Sequence, residues 1–176
     1  RKEKRFVDAF EREKKFMHEC CDSVIAIARH SYDMLKELYD IPESKLAYVP
    51  NGLRDEYRKR NADECRRVRE KYGFNEKEHL LIFAGRLDFV YVAAEMMMNE
   101  LPVIVNNTTG LKEIVGDGEY GTVFDFGKDK NIRALKDRIV NVLTCNEKEV
   151  YAREGRSRVL KEYSIQDFSE KIVGLY

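Results

Sequence analysis

Length, composition and charge narrow the class of protein before any motif is considered. The chain has 176 residues, enough for one sizeable core or for one domain and part of another, which argues against two complete domains. Lysine plus arginine number 32 and aspartate plus glutamate number 32, so no overall field attracts the protein to DNA, RNA or an anionic membrane, and we expect no nucleic-acid partner.

The first predicted element is a charged helix. Residues 6–21 carry apolar side chains at helical spacing, which predicts an amphipathic helix with its apolar stripe turned inward. This stripe consists of Phe6, Val7, Phe10, Met17 and Cys21. The basic residues of the segment leave peripheral membrane contact open, although interleaved acidic residues weaken that alternative.

A parallel sheet is predicted from the next segment. Residues 23–28 form a nearly continuous apolar run, which is typical of a strand buried on both faces. Ser31 is predicted to cap a helix that continues through Tyr39. Pro42 then begins the turn into a second strand at residues 45–49.

The rest of the chain continues to alternate between strands and helices. The predicted strands are 79–84, 101–105 and 121–125, and the predicted helices are 62–72, closed by Gly73, then 92–99, 129–144, 147–162 and 165–176. This order predicts a doubly wound α/β sheet, in which ligands bind at the carboxyl ends of the strands. Polar residues follow the strands at 51–52, 85–88 and 106–110.

Three places along the chain could bind a ligand. Gly85 allows close approach to the backbone, and the forked guanidinium of Arg86 suits phosphate oxygens, although a surface ion pair is the commoner role for such an arginine. The helix that follows has free N–H groups at its start, and Glu95 could either accept hydrogen bonds from a ribose or complement the helix dipole. The loop at 108–110 could line a cleft or cap a helix.

Several common chemistries lack their motifs. The sequence has no Ser-His-Asp arrangement, no Walker lysine loop and no GxGxxG after a strand. These absences argue against hydrolase, P-loop and dehydrogenase functions. His18 lies beside Cys20 and Cys21 but no second ligand pair follows, so we predict no metal site. The four cysteines form no CxxC pair and indicate free thiols in a reducing cytosol.

Five segments, taken in order, resemble one enzyme family. They are residues 21–27, 41–52, 83–88, 89–95 and 101–115. The sequence PNG at 50–52 is similar to the family's crossover between domains, FAGRLD at 83–88 to its strand end, and FVYVAAE at 89–95 to the second half of its EPFGxVaxE signature. The chain thus resembles the retaining GT-B glycosyltransferases of group 1, especially those of bacterial polysaccharide synthesis.

The resemblance implies a fold and a domain division. The fold class would be α/β, with the Rossmann-like doubly wound parallel sheet of an incomplete GT-B carboxyl-terminal domain and the last elements of the amino-terminal domain. Residues 1–50 would end the acceptor domain and cross over, and residues 51–162 would bind the nucleotide sugar. Residues 163–176 would form a helix that packs back toward the amino-terminal domain.

The resemblance also implies site residues and partners. Arg86 would be the catalytic clamp on the diphosphate, and Gly85, Arg86, Tyr91, Val92 and Glu95 would bind the donor. The donor would be a UDP- or GDP-sugar with no further cofactor and no metal, and the acceptor a glycan or a lipid-linked molecule. Such an enzyme would be cytoplasmic and work at the inner face of the membrane, with its oligomeric state left open.

The sequence departs from the family in several places, among them Ala28, which stands where a serine is common. The second phosphate-binding lysine has no counterpart after Asp88, Leu87 stands where the first signature glutamate belongs, and Val90 replaces the signature glycine. Relative to the family, a segment on the order of half a domain is also missing near residues 88–89, so the resemblance predicts a break in the chain there.

Two rival functions stay open, and the departures favour only the first of them. One is a non-catalytic scaffold or binding module of the same fold, and the other is a nucleotide-sugar epimerase or phosphorylase. Because most of the acceptor domain is also missing relative to the family, we expect this chain alone to be inactive in transfer.

Overall fold

The structure, a computed structural model, describes residues 2–54, 61–82, 90–125, 127–128 and 131–176. Within these ranges lie eight α-helices: α1 Lys2–Cys20, α2 Arg29–Glu37, α3 Ala62–Tyr72, α4 Val90–Met98, α5 Thr109–Ile114, α6 Ile132–Thr144, α7 Lys148–Glu162 and α8 Ile165–Val173. The same ranges hold four strands: β1 Val24–Ala26, β2 Leu46–Tyr48, β3 Ile104–Asn106 and β4 Thr122–Phe124. None of the helices described is long and apolar enough to cross a membrane.

The chain divides into two compact units. One comprises Arg1–Asn51 and Phe168–Tyr176, and the other comprises Gly52–Asp167. The domain boundaries expected from the resemblance, at residues 50 and 162, stay predictions.

The first unit is built on one strand–helix–strand crossover. Strands β1 and β2 pair in parallel, with Val24 opposite Leu46 and Ala26 opposite Tyr48. Helix α2 contacts both strands and joins them, as a parallel pair requires. The buried core of this unit consists of Ala26, Leu35, Ile41 and Leu46.

Two details of this unit differ from the sequence prediction. Helix α2 begins at Arg29 after the extended residue Ala28, which has no side-chain cap bond, so Ser31 lies inside the helix and does not cap it. Met17 of α1 packs against the core, but Phe6 and Val7 are 76% and 54% exposed, so the predicted inward stripe is wrong at its amino-terminal end. The reason is local, because Met17, near the carboxyl end of α1, is the α1 side chain that packs against the core described in this unit.

The second unit has its own parallel pair. Ile104 of β3 lies opposite Thr122 of β4, and Asn106 lies opposite Phe124. Helix α4 packs on α5 and α7, with Met97 and Met98 each 1% exposed, so the methionine run fills the core as the sequence indicated. The core cluster of this unit comprises Leu53, Ala93, Ala94, Met97, Met98, Val103, Val105, Leu111, Ile114, Val115, Val159 and Tyr163.

A predicted buried strand at 79–84 is not formed in the part described. Residues 79–82 have no strand structure, and Leu81 and Ile82 are 66% and 69% exposed. A strand buried on both faces needs a hydrogen-bonded neighbour and covering layers. Among the described residues of this unit, the sheet holds only β3 and β4, so the apolar run has no ladder to join.

Helix α3 matches its predicted bounds, because both ends carry strong signals. The side chain of Asn61 accepts hydrogen bonds from the backbone N–H groups of Asp63 and Glu64, which caps the start. Gly73 ends the helix with φ 75, the left-handed conformation that favours glycine.

Candidate functional site

The carboxyl ends of β3 and β4 lie side by side and are joined by polar groups. The backbone N–H of Asn107 donates to the carbonyl of Phe124 at 2.9 Å, which extends the ladder by one bond beyond the paired strands. Directly after it, the side-chain amide of Asn107 donates to Oδ2 of Asp125 at 2.9 Å. Because a carboxylate only accepts, the amide nitrogen must face it, so the orientation of Asn107 is set by chemistry.

Asp125 also accepts hydrogen bonds from the loop that follows it. Its Oδ1 accepts from the backbone N–H groups of Gly127 at 2.9 Å and Lys128 at 3.1 Å. The Asn107 amide, followed by the Lys128 and Gly127 backbone donors, lowers the pKa of Asp125 below its ordinary value. One ionised carboxylate therefore holds the two loops that leave the carboxyl edge of this strand pair, the edge at which open parallel sheets generally bind ligands.

Helix α4 carries three of the predicted donor-binding residues. It begins at Val90, so Tyr91 and Val92 lie in its first turn and Glu95 in the second. Tyr91, Glu95 and Asn99 are spaced four residues apart and share one face of the helix. The Asn99 side-chain amide donates to the Glu95 carbonyl at 2.8 Å, which fixes the end of that face.

This face differs from the buried one. Ala93, Ala94, Met97 and Met98 are buried, whereas Tyr91 is exposed and Glu95 is half-buried. The core therefore fixes the helix, and its other side carries the tyrosine and the glutamate.

Part of the predicted site lies outside the described residues. Gly85 and Arg86 fall in the range 83–89, and so do both sides of the break predicted near 88–89. The convergence of Arg86 with Glu95 on one nucleotide therefore stays a prediction, and so does the missing segment.

Sequence reasoning singled out the strand end at 106–110 but missed Asp125. The available signal was its position, directly after the last short strand and beside a parallel neighbour. Which of two polar strand ends meet depends on strand order, and a single sequence does not contain it.

A second polar cluster lies on α7. Arg158 donates to the carbonyl of Glu113 and to the carboxylate of Glu162, both at 3.2 Å, and its guanidinium lies 5.1 Å from the ring centre of Tyr120. The hydrogen bond that the Tyr120 hydroxyl donates to the Glu119 side chain is the main cause that raises the pKa of Tyr120. Glu119, Tyr120, Arg158 and Glu162 border a shallow groove of about 380 Å³, together with Glu154, Ser157 and Lys161. The groove mixes both charge signs and contains none of the predicted site residues, so its bonds tie α7 to the end of α5.

The side chains that commonly bind metals do not cluster in the described part of the chain. No group of three or more histidine, cysteine, aspartate or glutamate side chains could hold a metal ion within the ranges that the structure covers.

Comparison with known proteins shows which proteins this chain is similar to. Residues 89–159 match the family model described as glycosyl transferases group 1. The chain is 28% identical over 110 residues to the capsular polysaccharide biosynthesis glycosyltransferase CapM of Staphylococcus aureus, a match that covers 62% of this chain and 28% of CapM. It superposes with a TM-score of 0.74 and 13% identity on a crystal structure of a glycosyltransferase from Rickettsia africae ESF-5, covering 93% of this chain and 65% of that one.

The chain thus spans less than two thirds of either relative. The structural likeness and the parallel strands joined by helices confirm the predicted α/β, Rossmann-like fold class. The group 1 glycosyltransferase model thus matches residues 89–159, and the CapM relative, which is similar over 110 residues, is named as a glycosyltransferase.

Proposed function

We propose that this chain is the donor-binding part of a glycosyltransferase that moves a sugar from a nucleotide diphosphate sugar to a glycan or lipid-linked acceptor. One observation carries the proposal. The stretch matched by the family model, 89–159, holds α4, β3, α5 and β4, which are the elements that position Glu95 and the Asn107 and Asp125 strand ends. The epimerase, phosphorylase and scaffold alternatives have no comparable observation in their favour.

In the proposed donor site, helix α4 and the strand end at residues 85–86 bind different parts of the donor. Glu95 accepts hydrogen bonds from the ribose hydroxyls, and the amino-terminal turn of α4, which holds Tyr91 and Val92, receives a phosphate. Gly85 and Arg86 keep the role that the resemblance implies, as the close backbone approach and the cationic clamp on the diphosphate.

The proposed chemistry needs charge stabilisation more than an acid or a base. As the bond from the sugar to the diphosphate breaks, negative charge grows on the leaving phosphate oxygens. A guanidinium and a helix amino terminus stabilise that charge in a site from which water is excluded. We propose retention at the anomeric carbon and a GT-B arrangement on the resemblance alone.

The donor and the acceptor are proposed at different levels of detail. UDP- and GDP-sugars are the proposed donors. The name of the CapM relative favours a capsular or other polysaccharide as the product, and with it a cytoplasmic enzyme that works at the inner face of the membrane.

Isothermal titration of the purified chain with UDP, GDP and ADP tests the donor site directly. We expect one nucleotide to bind, and Glu95→Ala to weaken that binding about tenfold, which is the loss of roughly one to two net hydrogen bonds. Arg86→Ala should weaken the nucleotide diphosphate by more than this, because its hydrogen bonds are charge-assisted.

Glu154→Ala is the matched control for Glu95→Ala, since Glu154 is an exposed glutamate within helix α7. It should leave the affinity unchanged. If none of the three nucleotides binds, or if Glu95→Ala binds like the unaltered chain, the proposed donor site is wrong. Product analysis with a labelled donor sugar separates transfer from epimerisation, and transfer by this chain alone would contradict the expectation that it is inactive.

A further inference from the structure

We infer that Asp125 is a positioning residue of the donor site, which holds the loop after β3 in the place where it lines the bound nucleotide sugar. This inference rests on the proposed function. It adds a residue to which neither the family resemblance nor the α4 signature assigns a part.

The first step is the position of the bond between Asn107 and Asp125. Asn106 and Phe124 are the last paired residues of β3 and β4, so Asn107 and Asp125 are the first residues beyond the sheet. In open parallel sheets this edge is where ligands bind. The side-chain bond of 2.9 Å between Asn107 and Asp125 therefore lies at the edge that a donor would occupy.

The second step is what the bond controls. The backbone N–H of Thr108 donates to the carbonyl of Asn106 at 2.7 Å, a tight turn that reverses the chain directly after β3. Asn107 is the middle residue of that turn and is exposed. Its side-chain amide donates a hydrogen bond to the carboxylate of Asp125, which directly follows β4. A residue outside the turn therefore fixes the position of the turn.

The third step is that the carboxylate is itself fixed. Oδ1 accepts from the N–H groups of Gly127 and Lys128, which leaves Oδ2 turned to Asn107. Phe124, the residue before it, is 2% exposed and anchors the end of β4 in the core. Asp125 thus fixes the turn after β3 relative to the sheet, and it does this without having to contact the ligand.

The design of the bond suggests its test, an exchange of the two side chains. Asp125→Asn removes the carboxylate, and Asn107→Asp places two carboxylates face to face. The double variant Asn107→Asp/Asp125→Asn restores an amide–carboxylate pair with its direction reversed and keeps the net charge. The backbone bond from Asn107 to Phe124 involves neither side chain, so we expect all three variants to keep the strand pairing.

The affinity for UDP and for GDP is measured by isothermal titration at a temperature at which circular dichroism shows every variant folded. We expect each single variant to weaken the binding of the nucleotide by about five- to tenfold, which corresponds to one net hydrogen bond. The double variant should recover most of the affinity, which a general loss of stability would not produce. Asp137→Asn, an exposed aspartate of α6, is the control and should bind as the unaltered chain does.

The outcomes separate this inference from the function on which it rests. If the unaltered chain binds nucleotide and Asp125→Asn binds equally well, Asp125 has no positioning role and the proposed function stands. If the single variants bind more weakly but the double variant does not recover, the pair is not the cause and the inference is wrong. If the unaltered chain binds no nucleotide, both fail. Should Asp125→Asn not fold, Asn107→Ala breaks the same bond from its exposed side and is judged by the same criterion.

Discussion

The carboxylate of Asp125 makes a pH-dependent contribution to stability whose sign follows from its partners. Hydrogen bonds from Asn107, Lys128 and Gly127 lower its pKa in the folded protein. A group with a lowered folded pKa stabilises the fold above its unfolded pKa, about 3.9 for aspartate, and this stabilisation is lost as the pH falls through the folded pKa.

We therefore expect Asp125→Asn to lower the thermal unfolding midpoint at pH 7, and the difference to shrink below about pH 4. Thermal unfolding followed by circular dichroism at pH 7, 5 and 3 measures this, with Asp137→Asn as the reference. A difference that is the same at all three pH values would show that the carboxylate charge is not involved.

At the residue scale, the sequence predicts the position of a residue where the neighbouring residues indicate it. The sequence places Glu95 early in a helix, and it does lie in the second turn of α4, whereas its donor-binding role, which the resemblance implies, stays a prediction. Asp125 was missed because its role depends on Asn107, a residue of another strand. Ser31 was assigned as a cap by residue type, but the extended conformation of Ala28 starts the helix earlier.

At the element scale, the turn before β4 is packed too closely for a side chain. A Cβ on Gly121 would lie 2.8 Å from methyl carbons of both Val103 and Val115, two core residues. We expect Gly121→Ala to lower the free energy of unfolding by about 1–3 kcal/mol through overpacking.

Urea unfolding measures the effect of this substitution, and Gly73→Ala supplies the contrast. Gly73 has φ +75, and a Cβ added there would have no heavy atom within 4 Å, so the cost of this substitution is conformational alone, about 1 kcal/mol. If Gly121→Ala is as stable as the unaltered protein, the inference that Gly121 packs closely against Val103 and Val115 is wrong.

The same scale shows why some elements were predictable. Helix α3 has its capping asparagine and terminal glycine in the sequence, and its bounds were predicted to the residue. The run at 79–82 has the composition of a buried strand, but hydrogen-bonded neighbours make a strand, and the described residues supply none there. Composition reports what a segment prefers, whereas pairing depends on the rest of the sheet.

At the scale of the whole molecule, charge balance and exposed apolar side chains act together. The formal net charge is +0 and the pI is about 7.0, so repulsion between molecules is smallest near neutral pH. Leu81 and Ile82 are adjacent and exposed in the second unit. Exposed apolar residues in a chain without net charge favour self-association.

We expect light scattering at a fixed concentration to be highest near pH 7 and to fall toward pH 9. The double variant Leu81→Glu/Ile82→Glu should reduce it at pH 7, because it removes apolar surface and adds charge. Val68→Glu adds one charge on α3 at another exposed apolar site and is the comparison. Scattering that does not change with pH would contradict the charge argument.

The parallel pairing of all four described strands has a consequence for how the chain acquires its structure. Parallel strands usually meet late in folding, since the chain between them must first be brought round. Here Val24 meets Leu46 and Ile104 meets Thr122, each over a stretch on the order of 20 residues, so the entropy lost in closing each loop is small. Each strand–helix–strand segment is complete within one short length of chain, so each can begin to form during synthesis soon after it leaves the ribosome.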